Sequence, residues 1–400
     1  VLGFCGGLCT GMAIPLAQAF GAGEYRQLRR YVAGCVWLGL IMSAVLLAVT
    51  LPGTRGLLRL MGTPEEQMDY AFNYIFIIFV GIPTTILYNM GACVLRALGD
   101  SKSPVWFLAA ASAINIVLDL LTVCVLGLGV AGAAIATVVS QLGSGLLCVG
   151  YLKKHFPILR MEKDDWKLRR PEVMRLLGMG VPVGLQFSIT AIGSVMLQSA
   201  VNSLGAVCVS GVAVAGKIYM LLACPFDALA MAATNFTGQN LGAGKPERIK
   251  PVYRDCILTV LLIGVPMCAL LYFFGQPLLG IYIAKDDPAY ASVIASGMVR
   301  VTYMGMTYFV CGIMETCCGM VRGLGRSWMP MVVTIFGACV LRIIWIYTIF
   351  QTHHTLDVLY LSYPVSWVVT SAVHVLCFVL IYRRMMARWN AHKEEENASY

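Results

Sequence analysis

Charged residues are scarce in this sequence. Aspartate, glutamate, lysine and arginine make up only 12% of the 400 residues, whereas 59% are hydrophobic. Soluble domains carry roughly 25% charged residues, so this scarcity excludes an ordinary soluble globular protein. Long apolar runs separated by short loops fill the sequence instead. They predict an all-α, polytopic membrane protein.

Several motifs that carry chemistry are also absent. The 15 cysteines form no C-x-x-C pair, so we expect reduced packing residues rather than disulfides or metal ligands. The sequence has neither a Walker motif nor a G-x-G-x-x-G in a soluble context, and we interpret the GAG triplets at 21–23 and 242–244 as helix–helix turns. His353, His354 and His374 lack acidic or cysteine partners at ligand spacing. We therefore predict no catalytic residue, no metal site, no cofactor and no enzyme.

Eleven apolar segments are long enough to cross a bilayer, which takes about 20 helical residues. They cover 1–20, 31–52, 71–95, 104–126, 130–151, 176–202, 207–238, 256–275, 290–321, 329–350 and 358–382. Most of the 29 lysines and arginines fall in alternate loops, which is the pattern of cytoplasmic loops. The net charge of +9 therefore reflects topology, and we expect no nucleic-acid partner.

The sequence contains a two-fold internal repeat. AQAFGAGEYRQLRRYV at 17–32 aligns with GQNLGAGKPERIKPVY at 238–253, and VLRALGDSKSP at 94–104 aligns with MVRGLGRSWMP at 320–330. Both signatures fall at helix ends beside basic loops, so the two halves cross the membrane in the same direction.

The repeat and the basic loops define the domain organisation. We predict two pseudo-symmetric six-helix lobes, at 1–152 and 176–386, of which the first lacks its opening helix, so that eleven spans are present. A cytoplasmic basic linker at 153–175 joins them, and a polar, frayed cytoplasmic tail covers 387–400.

One pair of polar residues lies deep in an apolar run. Asn115 and Asp119, in AINIVLDLLTVCVLGLGVAGAAIAT at 113–137, are four residues apart and share one helix face. A carboxylate at membrane depth is costly unless it faces a bundle interior or a wet cavity, so we interpret the pair as part of a cation or proton path. A structural role in helix packing is the alternative.

These residues resemble those of multidrug and toxic compound extrusion (MATE) transporters. AQAFGAG and GQNLGAG are similar to the paired second- and eighth-helix signatures of the family, and VLRALG and VRGLG to the fourth and tenth. The stretch around Asn115 and Asp119 resembles the fifth and sixth helices of the DNA-damage-inducible-F-like branch.

The resemblance implies a MATE-type antiporter fold of twelve helices in two lobes. It also implies export of organic cations in exchange for protons or sodium ions, with cation or proton coupling at Asp119 and Asn115. The first lobe then corresponds to family helices 2–6 and the second to helices 7–12. Because the chain opens on Val1 inside an apolar segment, we expect that it lacks the first helix of the family.

Further polar positions in the spans are candidate lining residues of a substrate cavity. They are Asn89, Gln186, Ser188, Thr190, Lys217, Glu315 and Arg342. Hydrogen bonding between neighbouring helices is the alternative role for the uncharged ones. Glu315 lies near the end of its span, so an ion pair or snorkelling to the interface is the alternative to a cavity position. Arg300 also lies near a span end and is expected to snorkel. If Lys217 and Arg342 face the cavity, they favour substrates with some anionic character.

The sequence thus predicts a monomeric secondary efflux transporter of the inner or plasma membrane. It would work by alternating access, with organic cations and membrane lipid as its partners. The first alternative is a flippase for lipid-linked oligosaccharides or lipid II, for which Lys217 and Arg342 are the candidate pyrophosphate ligands. The second, a receptor or assembly subunit, explains neither the repeat nor the buried Asn-x-x-x-Asp.

Overall fold

The computed structural model describes residues 1–60 and 63–398, and all regular structure within them is helical. The described chain divides into two compact units, unit 1 at Val1–Gly184 and unit 2 at Leu185–Tyr400. Unit 1 contains α1 (Leu2–Gly21), α2 (Tyr25–Leu60), α3 (Glu65–Val80), α4 (Ile82–Ala97), α5 (Lys102–Asp119) and α6 (Gly129–His155). A π-helical turn, Leu120–Val125, continues α5.

Helix α7 (Arg170–Asn202) begins in unit 1 and ends in unit 2. Unit 2 continues with α8 (Ala206–Gly242), α9 (Ile249–Gly280), α10 (Tyr290–Arg300), α11 (Tyr308–Gly323), α12 (Trp328–Thr334), α13 (Leu341–Tyr347), α14 (Ile349–Thr352) and α15 (Leu356–Ala398). Two π-helical segments, Val301–Gly305 and Ile335–Val340, follow α10 and α12.

The predicted all-α fold is confirmed, and the eleven predicted spans compare with nine to eleven candidate spans in the described residues. Within the described residues, nine continuous stretches of helix are long and apolar enough to cross a membrane. Two bent helix pairs pass the same test together, α3 with α4 at 45° and α10 with α11 at 43°, and they bring the number to eleven if each pair is one span. The bends fall at Gly81 and at Met306–Thr307, which are equivalent positions of the internal repeat.

The repeat is also visible in how the helices end. Gly23 and Gly244 both adopt positive φ angles, 72° and 64°, and so do Gly99 and Gly325, at 91° and 79°. In all four places the next residue donates its N–H to the carbonyl five residues earlier, as in Lys245 to Asn240. A glycine in the left-handed region closes the helix without a Cβ clash, so the turn role predicted for the GAG triplets is confirmed.

The boundary between the units lies inside α7, beyond the predicted linker. The first half of α7 belongs to unit 1 because it packs closely on α1. A Cβ at Gly180 would lie 2.8 Å from Met12 Cγ, and a Cβ at Gly184 would lie 2.9 Å from the Phe4 ring. Small residues allow such close approach of two helices.

The predicted linker belongs to unit 1, where ion pairs hold it to α2 and stabilise its own turn. Arg29 Nε lies 2.7 Å from Asp165 Oδ2, and Arg169 and Arg30 lie 2.7 and 3.6 Å from Asp164 Oδ2. Asp165 is 1% exposed. Its burial alone would raise its pKa, but hydrogen bonds from Arg29 and from the Glu162 N–H hold the pKa below the usual value.

The carboxyl-terminal end differs from the expected frayed tail. Helix α15 continues through residues 387–398, and residues 399–400 lie outside the described part. The run Lys393–Glu395 consists of good helix formers, which explains the extension of the helix.

The first prediction concerns the α1–α7 contact. A Cβ at Gly11 would overlap the carbonyl oxygen of Met179, so Gly11→Ala should lower the free energy of unfolding by about 1–3 kcal/mol. Gly6, on the same helix, has no neighbour within 4 Å of an added Cβ. Gly6→Ala should therefore be neutral or stabilising, since alanine favours helix. Thermal unfolding in detergent micelles measures both, and equal effects would contradict the packing described here.

The second prediction concerns pH. Because Asp165 has a lowered folded pKa, its stabilising contribution is complete above about pH 4 and is lost as the pH falls through the folded value. Asp165→Asn should lower the unfolding free energy at pH 7 by about 3 kcal/mol and flatten the acid branch of the stability curve. Asp255→Asn, in a pair whose aspartate is 63% exposed, is the control and should change little.

Candidate functional site

Asn115 and Asp119 lie in the last turn of α5, directly before the π-helical turn. Asp119 Oδ1 and Asn115 Nδ2 are both buried, and neither has a hydrogen-bond partner in the described structure. The two groups share a helix face, as their spacing predicts. π-Helical turns within α-helices occur frequently at functional sites. A buried carboxylate oxygen without a donor is a group that a proton, a cation or a bound water would satisfy.

Asn89 lies on α4 in unit 1 and uses its amide within its own helix. Its Nδ2 donates to the Thr85 carbonyl at 2.8 Å. The Thr85 hydroxyl in turn bonds the Gln141 side chain of α6. The hydrogen bond between Thr85 and Gln141 links α4 with α6.

Unit 2 contains a cavity of about 380 Å³. Of the candidate residues in this unit, Gln186, Thr190, Glu315 and Arg342 line it, while Ser188 and Lys217 do not. Lys217 is exposed and places its Nζ 5.2 Å from the centroid of the Tyr282 ring. Sequence reasoning did not select three further charged lining residues, Asp227, Arg300 and Arg322.

A chain of buried hydrogen bonds holds Arg322 at the cavity. Arg322 Nη2 donates to Gln186 Oε1 at 2.7 Å, and Gln186 Nε2 donates to Thr334 Oγ1 at 3.1 Å. Thr334 Oγ1 also lies 3.1 Å from His374 Nε2. The chain connects α11, α7, α12 and α15, and Arg322 is only 5% exposed. Arg322 lies in the last turn of α11, beside a basic loop in the sequence, but its side chain is buried inside unit 2.

Two more arginines approach the cavity from α10 and α13. Arg300 Nη1 donates to the Val212 carbonyl at 2.9 Å rather than snorkelling. Arg342 Nε donates to Ser366 Oγ at 2.8 Å, and its guanidinium lies 3.8 Å from the centroid of the Tyr363 ring. One nitrogen of each guanidinium remains buried without a partner: Arg300 Nε, Arg322 Nε and Arg342 Nη2.

The cavity also has two carboxylates and an aromatic wall. Asp227 and Glu315 line it, and in the described part of the chain neither forms an ion pair. The wall is a set of rings in contact: Tyr308 packs edge-on against Phe226 and Trp367 at centroid distances of 5.2 and 5.6 Å. Such a cavity suits a small organic molecule with an aromatic ring and a charged group.

The charged residues missed from the sequence carried a usable signal. Asp227, Arg300 and Arg322 are ionisable residues in or at the end of apolar spans, and such residues tend to face a cavity or one another. The sequence could not show that these three side chains line the same cavity, because they come from three different helices, α8, α10 and α11.

Comparison with known proteins gives a consistent result. A family model described as MatE matches residues 1–121 and 182–348. The chain is 31% identical over 346 residues to the probable multidrug resistance protein YpnP of Bacillus subtilis, covering 86% of this chain and 75% of the relative. It is 29% identical over 345 residues to the probable multidrug resistance protein YoeA of the same organism, covering 84% and 73%.

The fold is similar to that of a solved structure, a MOP superfamily transporter from Pyrococcus furiosus. The TM-score is 0.89 at 22% sequence identity, and the match covers 95% of this chain and 84% of the other.

The hydrogen bond between Gln186 and Arg322 gives a third prediction. Gln186→Met fills a similar volume but leaves the buried guanidinium without its acceptor, and should lower the unfolding free energy by about 2–3 kcal/mol. Ser188→Ala lies two residues further along the same helix and outside the cavity, and should change it by less than about 0.5 kcal/mol. Thermal unfolding of both variants in micelles provides the comparison, and a stable Gln186→Met protein would contradict the assigned role.

Proposed function

The chain belongs to the MatE family of membrane transporters, and on that premise we propose that it exports small organic compounds in exchange for protons or sodium ions. Transport proceeds by alternating access. The linker at 153–175 and the carboxyl terminus face the cytoplasm in this proposal, since the basic loops lie on their side. The multidrug resistance names of its B. subtilis relatives support drug or toxin export.

The observation that carries the coupling proposal is the unpartnered Asp119 Oδ1 on α5. A buried carboxylate oxygen without a donor is available to bind a proton or a small cation. Asn115 Nδ2, one turn earlier, is unpartnered as well. The two groups together supply a small polar site that changes its charge when the coupling ion binds or leaves.

Exchange of ion and substrate requires a difference in affinity. The ion at Asp119 stabilises one conformation of the transporter, and the substrate stabilises another. Each ligand then weakens the binding of the other by the same factor, whichever is added first. In this proposal the substrate occupies the cavity of unit 2, whose volume of about 380 Å³ is in the range of small-molecule sites.

A second candidate function is movement of a lipid-linked pyrophosphate. The observation that favours it is the presence of Arg300, Arg322 and Arg342 at one cavity, because guanidinium groups bind phosphate well. The sequence analysis expected Lys217 and Arg342 to bind pyrophosphate, and of these two only Arg342 lines the cavity.

The fourth prediction tests the coupling site. Cells producing the protein are loaded with ethidium or with carboxyfluorescein, an aromatic cation and an aromatic anion, and energised. Wild type should export at least one of the dyes. The Asp119→Asn variant has no carboxylate to bind the coupling ion, and it should export that dye about tenfold more slowly at equal protein level. Ser112→Ala, an exposed position on the same helix, is the control and should retain export.

An uncoupler and removal of sodium identify the driving ion. Loss of wild-type export with the uncoupler alone indicates protons, and loss on sodium removal alone indicates sodium. Export of neither dye would contradict the proposed function. If Asp119→Asn exports as fast as wild type, the assignment of ion coupling to Asp119 is wrong.

A further inference from the structure

The cavity of unit 2 has an excess of positive charge. Three arginines and two carboxylates line it, and the described structure shows no ion pair between the two sets. Arginine does not lose its proton in proteins, so its charge is permanent. A charge at membrane depth that lacks a counter-ion is unfavourable. Three arginines against two carboxylates leave one positive charge in excess, and one bound anion would balance it.

The three guanidinium groups are already fixed in position. Arg300 donates to the Val212 carbonyl, Arg322 to the Gln186 amide oxygen and Arg342 to the Ser366 hydroxyl. All three acceptors are neutral, so these bonds orient the groups without cancelling their charge. Each group also retains one nitrogen without a partner. Donors that are held in place before the ligand arrives lose little freedom on binding.

The aromatic wall beside Arg342 indicates which uncharged group the anionic ligand carries. The Arg342 guanidinium lies 3.8 Å from the Tyr363 ring centroid and 5.7 Å from that of Trp367. The Trp367 ring in turn packs edge-on against Tyr308. Rings in this arrangement accept a further aromatic ring by edge or face contact. An acyl or isoprenyl chain would use none of this geometry.

We propose that the cavity of unit 2 binds an aromatic carboxylate, with its ring on the wall of Tyr308, Tyr363 and Trp367 and its anionic group at Arg342 and Arg322. This inference rests on the proposed transport function for its physiological meaning, and it replaces the expected organic cation with an anion. Asp227 and Glu315 oppose the bound carboxylate. Neutralising either of them strengthens its binding, whereas a cationic substrate would be weakened by the same change.

The test uses three indole probes that share one ring. Indole-3-acetate is an anion and tryptamine a cation, and tryptophan carries both charges. Equilibrium dialysis of each radiolabelled probe against purified protein in lipid nanodiscs measures affinity without any transport. Wild type should bind indole-3-acetate more tightly than tryptamine. Arg342→Gln should weaken indole-3-acetate binding about tenfold, the effect of losing one charged hydrogen-bonding group.

Two further variants separate the local effect from net charge and from misfolding. Lys217→Gln removes the same unit of charge at an exposed position outside the cavity, and should leave the affinity unchanged. Glu315→Gln should tighten indole-3-acetate binding several-fold, a gain that a damaged protein cannot produce.

Several outcomes would overturn the proposal. They are tighter binding of tryptamine than of indole-3-acetate, weaker indole-3-acetate binding in Glu315→Gln, equal losses in Arg342→Gln and Lys217→Gln, or no binding of any probe. Binding of geranylgeranyl pyrophosphate in place of the indoles would assign the arginines to a lipid headgroup. Because dye export by Asp119→Asn is measured separately, failure of the aromatic carboxylate leaves the coupling proposal standing.

Discussion

The hydrogen bond from Arg322 to Gln186 is the contact on which the cavity of unit 2 depends. A guanidinium that is 5% exposed inside an apolar bundle must have acceptors, and Gln186 supplies one at 2.7 Å. The amide also bonds Thr334, which faces His374, so one polar chain connects four helices. The same rule shapes the whole molecule, because every polar group within an apolar span must find a partner or a ligand. Both candidate sites contain groups that have no partner.

Those groups differ between the two units. Those of unit 1 include a carboxylate oxygen and an amide on one face of α5. Those of unit 2 include guanidinium nitrogens around a cavity with an aromatic wall. The first set suits a proton or a small cation, and the second suits an organic anion. A transporter that exchanges an ion for an organic compound needs one site for each, and thermodynamic linkage requires only that the two ligands favour different conformations.

The sequence predicted the spans, the repeat and the helix-ending glycines because these depend on local hydropathy and local turn chemistry. It also placed Asn115 and Asp119 on one face, since that follows from a spacing of four. Membership of the cavity could not be predicted in the same way. Lys217 and Arg342 are both basic residues in apolar spans, yet only Arg342 lines the cavity. The difference arises from helix rotation and long-range packing, and a single sequence contains no direct record of either.

The most direct test of the account is the affinity of the purified protein for an exported compound, measured over a range of pH and of sodium concentration. The dye that wild-type cells export serves as the compound, and Asp119→Asn is measured beside wild type. One of the two ions should weaken dye binding at least about fivefold in wild type. In Asp119→Asn the affinity should no longer depend on that ion. An identical ion dependence in the two proteins would contradict the assignment of coupling to Asp119.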